Sequence, residues 1–160
     1  FRGALCGKTA RRDLRGGRPA TGGPTLMTKI TKKRKKMSNY WLVGASWGGQ
    51  DHQDERFVSQ GIWMLGWAKE DQPAQYKKAS EMKEGDRIAI KRMKGRGQTG
   101  IKIMHLGIIK GVILDADKIV CSVNWVATDL NRNIEESRGA FKSIHGPFER
   151  DDWTNQIFSL

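Results

Sequence analysis

The chain of 160 residues is long enough for one domain with a hydrophobic core, and its Lys and Arg exceed its acids by 12. The excess lies at one end. Residues 1–37 hold 12 of the 29 basic residues and one of the 17 acids, Asp13, which leaves 17 basic residues and 16 acids in residues 38–160. The high net charge therefore does not by itself make residues 38–160 a nucleic-acid-binding domain.

Several classes of protein are disfavoured by simple patterns. The two cysteines, Cys6 and Cys121, are far apart and belong to no C-x-x-C or Cys/His cluster, so neither a zinc site nor a disulfide framework is predicted. No apolar run approaches the roughly 20 residues that a membrane span needs. We expect a protein of the reducing cytoplasm without metal, cofactor or membrane partner.

Residues 1–37 are predicted to be a disordered basic tail. Its first part, residues 1–26, is rich in Gly and Arg and is either native or added upstream sequence, because Met27 and Met37 are both plausible starts. Lys32–Lys36 is a run of consecutive basic residues. Such a run either binds phosphates without sequence preference or serves as a solvated tail.

The first predicted element of the domain is a strand at Tyr40–Ala45. It is apolar on both faces and is therefore expected at the centre of a sheet. Ser46–Gln53 is predicted to be a loop, in which Gly48 and Gly49 permit backbone geometry or close approach that side chains would block. An apolar strand that ends at such a loop is typical of a ligand-facing edge.

Two short helices and an extended segment are predicted next. The first helix spans Asp54–Gln60, is capped by Asp54 and ends at Gly61. The extended segment is Ile62–Trp67, and Pro73 suits the first turn of the second helix.

The carboxyl-terminal half alternates in the manner of strands, with a final helix after Asp151 or Asp152. A bulge is expected near Gly107 or Gly111. The predicted strands cover residues 87–91, 101–114, 118–126 and 140–144. About six short strands with glycine breaks predict an α+β domain over residues 38–160, a small β-barrel flanked by short helices.

Catalysis is not predicted. The three histidines are scattered without metal-ligand spacing, and no nucleophile motif is present. His105, inside an apolar strand, is expected to be a packed side chain, and His145, beside Gly146, is expected to stabilise a turn.

Binding is better supported, because six tryptophans are many for a domain of this size. Three are expected in the core: Trp41, Trp125 and Trp153. Three others lie in or beside glycine-containing loops: Trp47, Trp63 and Trp67. They are interpreted either as core residues or as the walls of a ligand-binding cage. Stacking a base on an aromatic ring is worth about 1–3 kcal/mol, so several rings can hold a flipped base.

Polar residues are needed to read the edge of such a base, and Ser46, Asp129 and Asn131 are the candidates. For Asp129, local turn bonding is the competing interpretation. The loop at residues 94–100 is basic and rich in glycine, and it is interpreted either as a flexible hairpin connection or as a contact to nucleic-acid phosphates. The residues expected to contact phosphates are Lys91, Arg92, Lys94 and Arg96.

Five segments occur in a familiar order. They are Tyr40–Gly44, Gly61–Trp67, Met82–Lys91, Leu106–Ile109 and Asn124–Trp125. With them the chain, over about residues 39–160, resembles the EVE-type, PUA-like β-barrel of the EVE/YTH superfamily. It is most similar to the EVE-like DNA-recognition domains of McrB-type modification-dependent restriction systems.

The resemblance implies a reader of methylated or hydroxymethylated bases, with DNA favoured as the nucleic acid. It also implies Trp47, Trp63 and Trp67 as the cage and Ser46 as a polar neighbour. The sequence contains no motor or nuclease motif, so a separate NTPase or nuclease effector is expected. Two alternatives remain open. One is an RNA-binding PUA-like domain that acts on tRNA or rRNA, and the other is a small-molecule or protein-interaction domain.

Overall fold

A computed structural model describes residues 37–160, and predictions for the basic tail before Met37 lie outside this range. The elements in chain order are β1 (Tyr40–Gly44), β2 (Ser46–Trp47), β3 (Asp51–His52), α1 (Asp54–Gln60), β4 (Ile62–Met64), α2 (Pro73–Ser80), β5 (Arg87–Met93), β6 (Ile101–Asp115), β7 (Lys118–Ala127), β8 (Arg132–Ile134), β9 (Ile144–Phe148) and α3 (Asp152–Phe158). No helix in this range is long and apolar enough to cross a membrane.

Seven strands form one mixed sheet in the order β4-β7-β6-β5-β1-β9, with β8 paired to the start of β6. β1 and β5 run parallel, and the other neighbours are antiparallel. β2 and β3 form a separate hairpin. The predicted α+β class is confirmed, but the predicted closure is wrong, since β4 and β9 end the sheet without pairing to each other. Alternation along a strand predicts its faces, not which edge strands meet.

β1 is central, as its sequence predicts. Trp41 and Val43 belong to one core cluster and Leu42 to a second cluster on the other face, and all three are fully buried. β5 repeats the pattern, with Ile88 and Ile90 on the first face and Ala89 on the second. Both faces of the sheet are therefore covered at β1 and β5. β1 ends at Gly44, at the edge of this buried region.

The helices match their predicted positions, with one correction. Gly61 ends α1 in the left-handed region at φ 64°, as glycine permits. The residue before α1 is Gln53, and Asp54 does not cap the helix. Asp54 is buried instead and binds the Arg92 guanidinium at 2.6 Å, because an ionic partner competes successfully for its carboxylate. α3 begins at a capping box between Asp151 and Thr154.

The strand predictions hold for β1, β4, β5, β6 and β7, although β4 ends at Met64 and not at Trp67. β6 is one strand whose register shifts at Gly107 and again before Gly111, as expected. The last strand lies at Ile144–Phe148 rather than at residues 140–144, and its Pro147 is tolerated because β9 is an edge strand. β2, β3 and β8 are not predicted by the sequence, since two or three residues show no periodicity.

Candidate nucleic-acid interface

A small cavity lies where β1 ends, and we call it the aromatic pocket. Its volume is about 90 Å³. It is lined by Gly44, Ser46, Trp47, Gly48, Trp63, Gly66, Trp67 and Ser143. The tertiary structure thus brings together four of the six residues that the sequence suggested for a base pocket: Ser46, Trp47, Trp63 and Trp67.

Trp63 forms the wall behind this pocket. Its side chain has no exposed surface, and its indole Nε1 donates a hydrogen bond of 3.0 Å to the carbonyl oxygen of Gly44. Trp63 also belongs to the core cluster on that face of the sheet. Its burial makes it a support for the pocket rather than an open stacking face.

Trp67 and Trp47 provide the accessible rings. Trp67 is 42% exposed, and its Nε1 donates to the Ser143 hydroxyl at 2.9 Å. Trp47 is half-buried and packs edge-on against Phe57, with the ring centroids 6.2 Å apart. Gly66 permits this arrangement, because a Cβ built there lies 2.7 Å from Cδ1 and Nε1 of Trp47.

Ser143, which the sequence did not suggest, holds the loop before β9 against the pocket. Its backbone N–H donates to the Gln75 side chain at 3.0 Å, and its carbonyl oxygen accepts from the Gly44 N–H at 2.8 Å. Its hydroxyl accepts from Trp67. No local pattern marks a serine in a loop whose three partners lie on other elements.

Ser46 faces His52 across the β2–β3 hairpin. The Ser46 hydroxyl and Nδ1 of His52 are 2.6 Å apart, as expected for a directly opposed cross-strand pair. Of this pair, Ser46 lines the aromatic pocket, where its hydroxyl can exchange hydrogen bonds with a ligand.

A second cavity, the basic recess, adjoins the aromatic pocket and has a volume of about 390 Å³. It is lined by Gly44, Ser46, Gly49, His52, Lys91, Arg92, Met93, Phe141, Lys142 and Ser143. The two cavities share Gly44, Ser46 and Ser143. Within the described part of the chain, this lining contains three basic side chains and no carboxylate. The aromatic pocket alone is smaller than typical ligand sites, whereas the two together reach their range of about 300–1,000 Å³.

Burial shapes the charges of this recess. Lys91 is 5% exposed, and desolvation lowers its pKa from 10.5 to about 8. Burial, together with the charge of Lys91 and of nearby Lys78 and Lys142, lowers the pKa of His145 to about 4. His145 is therefore neutral at pH 7, and its Nε2 accepts a hydrogen bond of 2.8 Å from the Lys142 N–H. This bond within the turn is the role expected for His145.

Arg92 is held in the recess by a chain of polar contacts. Its Nη2 lies 2.6 Å from the buried carboxylate of Asp54, which also lies 3.5 Å from Nε2 of His105. Nδ1 of His105 accepts from the Asp129 N–H at 3.2 Å. His105 is thus a packed, bonded side chain, as predicted, and Asp129 enters the network through its backbone.

A further basic cavity of about 450 Å³ continues from Arg92 and Met93. Lys94, Gln98, Lys102 and Asn133 complete its lining. Three of the four predicted phosphate-binding residues, Lys91, Arg92 and Lys94, therefore follow one surface. Arg96 lies on the exposed loop after β5 and lines neither basic cavity.

Asp129 and Asn131 are not brought to the aromatic pocket. Both have positive φ, 53° and 48°, in the turn between β7 and β8. The Asn131 side chain donates to the Asp129 carbonyl oxygen at 3.4 Å. These bonds belong to a local turn, which is the competing interpretation of Asp129.

Cys121 lies in the core cluster on one face of the sheet. Cys121 is buried against Met82, and burial raises the pKa of its thiol to about 12. Within residues 37–160, no three His, Cys, Asp or Glu side chains cluster as metal ligands do.

Comparison of the chain with protein-family models gave no match, and comparison with curated proteins also gave none.

Proposed function

We propose that residues 38–160 form a PUA-like, EVE-type reader of a modified base, methylated or hydroxymethylated, in DNA. The base is flipped from the duplex into the aromatic pocket. One observation carries the proposal: an aromatic pocket lined by Trp47 and Trp67 shares lining residues with a recess lined by Lys91, Arg92 and Lys142. A ring site joined to a cationic site is the arrangement that a nucleotide requires.

The energies are compatible with flipping. Extrusion of a base costs a few kcal/mol, and stacking returns about 1–3 kcal/mol for each base held against an aromatic side chain. Phosphate contacts from the adjoining cations add to this. The pocket's small volume of about 90 Å³ favours a single planar ring over a bulky ligand.

The proposed protein is a sensor and not an enzyme. It acts in the cytoplasm for a restriction or defence system, and a separate nuclease or NTPase carries out the response. The PUA-like assignment rests on the resemblance of the five sequence segments.

The test is a comparison of affinities at fixed salt. Matched duplexes carry cytosine, 5-methylcytosine, 5-hydroxymethylcytosine, adenine or 6-methyladenine, and a matched RNA set is measured beside them. We expect one modified DNA duplex to bind at least ten-fold tighter than its plain counterpart, or about 1.4 kcal/mol. Equal affinity for all DNA duplexes contradicts the proposal, and preference for RNA selects the RNA-binding alternative.

Trp67 is the best residue for the matched variants, because it is accessible and its one side-chain hydrogen bond is to Ser143. We expect Trp67→Ala to abolish the preference and Trp67→Phe, which keeps a ring face, to retain most of it. Trp63→Ala is a poor test of the same point. Removing that buried ring costs about 3–5 kcal/mol of folding stability.

A further inference from the structure

Lys91 is unusual among the cations of the basic recess because it is almost fully buried. Strand β5 places it beside Gly44 of β1 and Ile103 of β6, and only 5% of its surface is exposed. It nevertheless lines the recess. The ammonium group of Lys91 is therefore poorly hydrated, yet a ligand in the recess can contact it.

No acid in residues 37–160 compensates this charge. The ion pairs of the described residues join Arg92, His105 and Arg138 to acids and do not include Lys91. The buried carboxylate of Asp54 approaches the recess through Arg92, which engages it at 2.6 Å. Among residues 37–160, the titratable side chains that line the recess with Lys91 are His52, Arg92 and Lys142, and the charge of Lys91 also acts on His145; none of these groups is an anion.

A buried cation that pairs with no acid of residues 37–160 is costly to keep, and an anionic ligand removes the cost. The lining favours a phosphate over a single carboxylate, because Lys91, Lys142 and the Arg92 guanidinium, which Asp54 already engages on one side, all line the space. The recess also shares three residues with the aromatic pocket, so a ring and a phosphate of one ligand can occupy the two cavities together.

We propose that the basic recess is a discrete phosphate-binding site, in which Lys91 receives the phosphate attached to the nucleotide whose base occupies the aromatic pocket. The identity of that nucleotide rests on the proposed function, whereas the phosphate site rests on the surroundings of Lys91. Two sources share this chemistry: a phosphodiester within a strand, and the terminal phosphate of a free nucleotide.

The site couples binding to a proton. A bound anion stabilises the charged form of Lys91, so binding above about pH 8 requires proton uptake. Phosphate affinity therefore falls as the pH rises through this value, and it is insensitive to the titration of Lys91 well below it.

The experiment follows the titration of lysine side chains by NMR in the full chain, at constant ionic strength set with chloride. The probes are inorganic phosphate, thymidine 5′-monophosphate and the dinucleotide thymidylyl-thymidine. The Lys91 signal is assigned by its loss in Lys91→Met. In the free protein we expect its midpoint at about 8. A ligand that binds the charged form ten-fold tighter raises the midpoint by about one pH unit.

A rise with all three probes supports the site and shows that it accepts a phosphodiester. A rise with inorganic phosphate and the monophosphate alone supports the site with a terminal phosphate as its source. An unchanged midpoint with every probe overturns the proposal. Lys110→Met, which removes an exposed lysine of β6, is the matched control and must leave the Lys91 shift intact.

Failure of this site is distinguishable from failure of the proposed function. Preference for a modified duplex with an unmoved Lys91 titration rejects only the phosphate site. A phosphate-induced shift without any preference among duplexes rejects only the base reader.

Discussion

At the scale of single residues, burial separates side chains of the same type into different roles. Lys91 and Lys94 are three residues apart, yet Lys91 is enclosed at the sheet and Lys94 lies at the start of an exposed loop. Trp63 and Trp67 differ in the same way, with 0% and 42% of the residue exposed. Burial gives Lys91 a desolvation cost and gives Trp63 a packing role in the core, whereas Lys94 and Trp67 are more accessible.

Lys91→Met is expected to stabilise the free protein at pH 7. Burial lowers the folded-state pKa of Lys91 from 10.5 to about 8, so the charged form is disfavoured on folding by up to about 3 kcal/mol. Between these two pH values the unfolded chain keeps a proton that the folded chain releases. Wild-type stability therefore gains this contribution as the pH rises from about 8 to 10.5, and the variant lacks the gain.

Denaturant unfolding at several pH values between 7 and 10.5 measures this effect. Lys110→Met, at an exposed position of β6, is the control and is expected to keep the wild-type pH dependence. If Lys91→Met destabilises the protein at pH 7 or leaves its pH dependence unchanged, the burial of an uncompensated charge is not the dominant property of this residue.

At the scale of elements, the aromatic pocket is formed by several loops that pack together at the carboxyl-terminal end of β1. The β2–β3 hairpin contributes Trp47, the segment after β4 contributes Gly66 and Trp67, and the loop before β9 contributes Ser143. Helix α2 supports the last of these through Gln75. The pocket therefore depends on close packing between segments that are distant in the chain.

Gly66→Ala tests that packing. The new methyl group lies 2.7 Å from the Trp47 ring, which must move away from its place in the pocket. We expect the preference for a modified duplex to fall at least ten-fold while the cooperative unfolding transition remains. Affinity measurements on the matched duplexes, with circular dichroism of the same samples, provide the readout.

Gly111→Ala is the matched control, because a methyl group there meets no atom within 4 Å and the backbone does not require a positive φ. It is expected to bind as the wild type does. A Gly66→Ala protein that keeps full preference contradicts the placement of a ligand against Trp47.

At the scale of the whole molecule, the excess of positive charge lies outside the domain to which the proposed function assigns recognition of the base. Residues 1–37 hold 12 basic residues and one acid, whereas residues 38–160 are nearly balanced. A cluster of cations attracts phosphates without reading sequence, and a pocket discriminates between bases. Overall affinity and base preference should therefore be separable.

Replacing the five residues Lys32–Lys36 by glutamine in the full chain is expected to weaken binding to every duplex by a similar factor. The slope of log affinity against log salt should become shallower, by about 0.9 for each phosphate that the run no longer neutralises. The ratio between modified and plain duplexes should not change. A salt titration with both duplexes measures all three quantities, and a changed ratio assigns part of the recognition to this run.

Much of the fold follows from local patterns. Alternation predicts β5 and β7, and an apolar run predicts β1. Gly61 marks the end of α1 and Pro73 the start of α2, and each of these signals reflects an interaction within a few residues. The α+β class and the core position of Trp41 and Trp153 follow from the same signals, whereas Trp125 is only partly buried against the core. The three tryptophans beside glycines, Trp47, Trp63 and Trp67, also line one cavity.

The rest was decided only by tertiary contacts. The strand order, the open edge between β4 and β9 and the place of β9 depend on which distant segments pair, and alternation does not encode that choice. Partners that are distant in the chain bury Trp63, form the hydrogen bond between Trp67 and Ser143, and form the ion pair between Arg92 and Asp54. By itself the sequence determined the residue types available for binding, whereas the packing of loops at the end of β1 decided which of them share one surface.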